Sequence, residues 1–203
     1  LTEILLERRA ERGSLDFDLP EPEIIIDMEG DVRGILRSKT LFSHRIIEEF
    51  MILANKVVAD FFEMRKAKAL FRVHEEPERE KLAVFEQFIK SLRISLPKDG
   101  KGIKRLQSII RAVRGKPYEF IVNKLLLRSM KQAKYSAENK GHYGLGLESY
   151  LHFTSPIRRY PDLVCHRILE ALLTRRKMPY TYEELEKMAN YLSERERLIM
   201  EVE

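Results

Sequence analysis

The chain has 203 residues, 44% of them hydrophobic, which supplies enough apolar side chain for a core and argues against wholesale disorder. Its one cysteine, Cys165, excludes an internal disulfide framework and fits a reducing, cytoplasmic setting, and no run of about eighteen apolar residues is present to span a membrane. The net charge of +5 is uneven: residues 1–100 carry 17 Lys and Arg against 20 Asp and Glu, residues 101–180 carry 17 against 5, and residues 181–203 carry 3 against 7.

Thr2 can cap a helix to about Arg12, with Gly13 as its stop. In the SLDFDLPEPE that follows, Pro20 and Pro22 forbid a regular helix. Ile24 to Ile26, a turn near Glu29 and Gly30, and a return from Val32 to Leu36 predict a β-hairpin. From Ser43 the pattern HRIIEEFMILANKVVADFFEMRK predicts a long helix with a wide apolar stripe from Ile46 to Phe62, expected to be largely buried. Only its polar Glu48, Glu49 and Asn55 are candidates for function, and Glu49 alternatively pairs with Arg45 as an ordinary helix contact.

A short strand, ALFRVH, precedes a helix from Pro77 to about Leu92 and a loop over 95–102. Two further helices are expected over 103–114 and 117–134, then a loop leading into extended chain through His142 and Tyr150. Ser155 and Pro156 are expected to start a helix running to about Arg175, and a last helix runs from Glu183 to the end.

The stretch HYGLGLESYLHFTSPIRRYPDLVCHRIL carries the most information. A helix beginning at Ser155 would present free N–H groups to an anion, with Arg158 and Arg159 as donor forks in its first turn. Tyr143, Tyr150, Phe153 and Tyr160 are available to stack on unpaired bases. Together with the basic block, which favours phosphates by counterion release, this reads as a phosphate-and-base site. The alternative is an ordinary helix start with solvated arginines. Cys165 reads as a small packing residue, and His142 and His166 as hydrogen-bonding residues, since no Cys or His partner stands at ligand spacing.

HFTSPIRRYPDL followed by HRIL closely resembles the signature of the ribonuclease II / ribonuclease R family of exoribonucleases, whose catalytic domain is of RNB type. HRIIEEFMILAN resembles that family's long helix, LLLRSMKQAKYSAENKGHYGLGLESY the approach to the signature, and ERRAERGSLDFDLPE the segment before the hairpin. The resemblance covers essentially the whole chain, nearer the ribonuclease R branch. It implies an α+β fold: the predominantly helical C-terminal part of an RNB-type domain, with a β-hairpin near 24–37, few other strands, and a sheet completed outside this chain.

The resemblance also implies processive 3′→5′ hydrolysis of single-stranded RNA to nucleoside 5′-monophosphates with divalent metal, usually Mg²⁺. Arg158 matches the arginine beside the scissile phosphate, where it would stabilise charge developing on the phosphoryl oxygens. Glu48 matches the glutamate on the 3′-terminal sugar, whose hydroxyls distinguish RNA from DNA. Phe17 matches the aromatic stacked on the terminal base. His152, Ser155, Arg159 and Tyr160 belong to the same signature and are expected along the RNA channel.

The family builds its metal site from aspartates in a D-x5-D-x-D-D pattern. The aspartates here are Asp16, Asp18, Asp27, Asp31, Asp60, Asp99 and Asp162, which form no such cluster. Asp16 and Asp18 flank Phe17 and read as surface acids in preference to a metal pair, so no metal ligand is expected within residues 1–203. The upstream tyrosine, the cold-shock domains and the S1 domain of the family are also without counterparts. With Leu1 as first residue, the chain is expected to be cut from something longer: the C-terminal half of a catalytic domain, inactive alone, with the remainder of its own RNB domain, OB-fold domains and single-stranded RNA as partners, and no membrane. A different class of reading is a non-catalytic RNA-binding or scaffold module that keeps the phosphate pocket.

Overall fold

The computed structural model describes residues 1–17, 22–37, 41–93 and 102–202. Asp18, Asp99 and most of the loop expected over 95–102 lie outside the described residues. Helix α1 (Thr2–Arg12) ends at Gly13, whose φ of 93° lets its N–H reach the Ala10 carbonyl at 3.2 Å. A Cβ there would also come 3.0 Å from the Ile103 side chain, a tight contact that adds to the backbone's preference for glycine. Thr2 lies inside the helix and is buried; Leu1 takes the cap position without a side-chain bond.

The expected hairpin is present. β1 (Pro22–Ile26) pairs antiparallel with β2 (Val32–Arg37), Ile25 opposite Gly34, with a bulge between Ile25 and Ile26. The Asp27 carboxylate closes the turn, accepting from the Glu29 and Asp31 N–H groups at 3.1 and 2.8 Å and from Arg33 Nε at 2.6 Å. Ile24, Ile25 and Ile26 are all exposed.

Helix α2 (Phe42–Met64) buries only Glu49, Ile52, Asn55, Ala59 and Phe62, a narrow line at helical spacing. Ile47, Phe50 and Val57 are exposed at 60, 42 and 55%. The expectation of a largely buried helix is thus corrected: its apolar stripe is wider than the described neighbouring elements cover.

β3 (Phe71–Val73) pairs antiparallel with β4 (Lys134–Ser136). β4 replaces the end of the helix expected to reach residue 134, because α5 (Glu119–Ser129) stops at Met130, whose backbone is extended. Tertiary partners outweigh local propensity here. Arg72 pairs across to Tyr135, and the Tyr135 N–H donates to Ser193 Oγ at 2.9 Å. That serine belongs to the last helix, α7 (Tyr182–Val202).

Two cores result. One packs α3 (Arg79–Ser91), α4 (Ile103–Val113) and α5 around Phe85, Ile89, Ile109 and Leu126, with Leu15 closing it. The other joins the end of α2, β3, α6 (Tyr160–Leu173) and α7 around Phe62, Leu70, Leu151, Ile168 and Leu185. Burying each such side chain contributes about 1.5–3 kcal/mol. Cys165 lies within this core with its thiol toward the Leu70 carbonyl at 3.7 Å, and burial pushes the thiol up to about 12, as suits a packing residue. The fold is α+β and mostly helical, with two small antiparallel sheets among the described residues.

Candidate functional site

The signature segment is clamped from two sides. From α2, the buried Asn55 side chain reaches across: its Oδ1 accepts from the Phe153 and Thr154 N–H groups at 2.9 and 3.2 Å, and its Nδ2 donates to Tyr150 Oη at 2.9 Å. From α6, the fully buried Asp162 carboxylate accepts from the Ser155 N–H at 2.8 Å and from Arg159 Nε and Nη2 at 2.8 and 2.7 Å. Between the clamps, the Arg158 and Arg159 N–H groups close a turn onto the Ser155 carbonyl at 3.2 and 3.0 Å.

This geometry corrects the expected helix start. The helix does not begin at Ser155 and Pro156; it begins at Tyr160, with Arg159 extended at the cap position and Pro161 in the first turn. The Asp162 carboxylate holds residues 155–159 as a separate turn, so Arg158 and Arg159 precede the helix and its free N–H groups do not surround them. Ile157, 97% exposed, forms the tip, and Arg158 beside it is exposed with no carboxylate partner among the described residues. Arg159, by contrast, spends two of its nitrogens on Asp162. Tyr160 is half-exposed at the start of α6.

A second cluster forms about two turns nearer the start of α2. Arg9, from α1, is buried and bridges two adjacent acids, with Nη1 at 2.7 Å from Glu48 Oε1 and 2.6 Å from Glu49 Oε1. Burial alone lowers the Arg9 pKa, but the hydrogen bonds and charges of both glutamates outweigh it and raise it overall. The pairing of Glu49 with Arg45 is corrected: Glu49 is buried against Arg9, whereas Arg45 Nη1 turns to Asp16 at 3.2 Å and Glu48 at 3.4 Å. Glu48 keeps a side chain that is 35% exposed. Phe17, adjoining Asp16, is half-buried against the α3–α4–α5 core.

Beneath the signature runs a series of aromatic edges: His74 to His142, His142 to Tyr150, Tyr150 to His152 and His152 to Tyr135, with ring centroids 5.2–5.9 Å apart. His152 Nδ1 and Tyr135 Oη are hydrogen-bonded at 2.9 Å. Burial first, then the positive charges of Arg159 and Arg72, push His152 down to about 3; burial and the nearby His74 push His142 down to about 3 as well. His166 stacks on Phe153 and bonds its carbonyl at 2.9 Å.

Four of the described aspartates are engaged by cations, a hydroxyl or backbone N–H groups. Asp16 faces Arg45, Asp27 its own turn, Asp60 Lys56 and Ser149, and Asp162 Arg159. No group of three or more His, Cys, Asp or Glu able to hold an ion occurs among the described residues, and no helix among them is long and apolar enough to cross a membrane. The residues that spacing did not reveal are Arg9 and Asp162. Asp162 left one signal, an oppositely charged partner three residues earlier; Arg9 left none, since its partners lie 39 and 40 residues away.

The chain belongs to the RNB domain family, whose model matches it over residues 1–175. It is 44% identical to ribonuclease R of Aquifex aeolicus over 206 residues, covering 100% of this chain and 29% of that protein. The structure titled Mycoplasma genitalium RNase R in complex with ribose methylated single-stranded RNA matches with a TM-score of 0.91 and 29% identity, over 98% of this chain and 32% of that one. Yeast Ssd1, described as a pseudonuclease, matches with a TM-score of 0.66 and 26% identity, over 76% of this chain and 20% of its own. The chain thus spans less than a third of the length of these relatives.

Proposed function

We propose that the chain is the C-terminal half of the RNB catalytic domain of a 3′→5′ exoribonuclease, carrying the contacts to the RNA 3′ end and the scissile phosphate. The observation that carries this reading is the exposed Arg158, without a carboxylate partner among the described residues, on a turn whose neighbouring arginine is neutralised by buried Asp162. An unpaired guanidinium on a fixed turn is suited to charge developing on a phosphoryl group. Glu48 and Phe17 would take the terminal sugar and base, while Ser155, His152, Arg159 and Tyr160 would line the strand's path, with Arg159 also holding the turn.

Phosphodiester hydrolysis at neutral pH draws on a divalent metal to activate water and stabilise the leaving oxygen. The aspartates of residues 1–203 do not form the D-x5-D-x-D-D pattern, so on this reading the Mg²⁺ ligands belong to a part of the domain outside this chain. The polypeptide alone would then bind single-stranded RNA without shortening it. A second reading, an RNA-binding module without catalysis, is favoured by the likeness to yeast Ssd1.

The test is to incubate the 203-residue chain, and separately the intact protein, with Mg²⁺ and a 5′-labelled single-stranded RNA. Salt-sensitive binding by both and shortening by the intact protein alone is the expected result. Shortening by the chain itself would overturn the assignment of the metal ligands. An intact protein that binds and never cleaves would favour the module.

A further inference from the structure

Asn55 is an unusual residue for the buried line of a helix. It is 2% exposed, its amide is costly to desolvate unless fully bonded, and asparagine is a poor helix former. Every side-chain hydrogen bond it makes goes to the signature segment: Phe153 N–H, Thr154 N–H and Tyr150 Oη. Leucine would fill the same volume and leave both N–H groups buried without acceptors.

Its place along α2 gives those bonds a consequence. Asn55 follows Glu48 by two helical turns, roughly 10 Å along the axis and on the same face. Thr154 adjoins Ser155, whose carbonyl closes the turn that presents Arg158. A continuous strut therefore runs from the helix of Glu48, through the Asn55 amide and the Thr154 backbone, to the Arg158 turn.

We propose that Asn55 is a positioning residue for Arg158: it sets the turn carrying the phosphate-facing arginine at a fixed height along the helix carrying Glu48. The proposal rests on the exoribonuclease reading. Stabilisation of a developing charge depends on preorganised donors, and a misplacement of about 1 Å can cost on the order of a hundredfold in rate. Asn55 acts on the chemical step through Arg158 and makes no contact with RNA.

The experiment uses the intact protein, single-turnover cleavage at saturating enzyme, and filter binding of the same RNA. Asn55→Ala is expected to slow cleavage on the order of 30–100-fold while RNA affinity stays within about threefold. In an Arg158→Ala background the same substitution is expected to cost less than about threefold, because the group it positions is already gone. Equal losses in the two backgrounds would overturn the proposal, as a merely structural role predicts. If Asn55→Ala does not fold, Tyr150→Phe removes only the hydroxyl that orients the amide, and the same comparison applies with a loss on the order of tenfold. A wild type that never cleaves defeats the exoribonuclease reading and the proposal with it; an active wild type with equal losses defeats the proposal alone.

Discussion

Arg159 and Asp162 lock together through two hydrogen bonds of 2.8 and 2.7 Å, with the carboxylate fully buried, and this pair separates the arginine turn from the helix that follows. The same carboxylate also holds the Ser155 N–H. Asp162→Ala would leave a half-buried guanidinium and a backbone donor without partners. Breaking a buried pair from one side costs about 3–5 kcal/mol. Denaturant unfolding of the 203-residue chain measures it, and a loss below about 1 kcal/mol would show the pair to be surface-like.

Arg158→Ala should behave in the opposite way. The side chain is exposed, so stability should change by less than about 0.5 kcal/mol. Cleavage by the intact protein should fall on the order of a thousandfold, with RNA affinity far less affected. Comparable losses in turnover and binding would reduce Arg158 to a binding residue.

Phe17 sits half-buried at the edge of the α3–α4–α5 core, so two roles compete for one ring. If the ring stacks on the terminal base, Phe17→Ala weakens the grip on the 3′ end by roughly 1–3 kcal/mol. A fall in melting temperature with unchanged RNA affinity would instead mark it as a core side chain.

Acid should loosen the fold through the histidines beneath the signature. His142 and His152 are held at about 3, chiefly by burial, whereas an unfolded histidine takes up its proton near the ordinary value of 6.5. Between those values the unfolded chain binds more protons than the folded one. Stability is therefore fully present above about pH 7.5 and is lost as pH falls through 6.5, by at most about 1.4 kcal/mol per pH unit for each histidine. Melting temperatures from pH 7.5 to about 5 test this range, which stays above the window where Glu75, held down to about 2 by Lys131 and Lys134, adds its own loss. His152→Gln should flatten the slope; an unchanged slope would remove His152 from the account.

Much of the helical frame was legible because it is encoded by periodicity and by local terminators: Gly13 at the end of α1 and the long apolar period of α2 are readable within one window. β4 was not legible, since three residues of strand are stabilised by β3 and α7 and carry no period of their own. The start of α6 was misplaced for a related reason. Ser155 and Pro156 have the chemistry of a helix start, but the Asp162 side chain competes for the backbone and the arginines and moves the start to Tyr160.

What the chain's own order of residues determined is most of the helical content, the hairpin near residues 24–37, the concentration of positive charge in residues 101–180, and the family signature around Arg158. These depend on neighbours a few residues apart, where spacing alone brings groups together. Only the tertiary structure decided which charges remain free. Arg9 pairs with Glu48 and Glu49, Arg45 with Asp16, and Arg159 with Asp162, while Arg158 is left exposed. The pairing of a charge is set by which long side chains the packed helices bring within about 3 Å of one another, and separation along the chain carries no record of that distance.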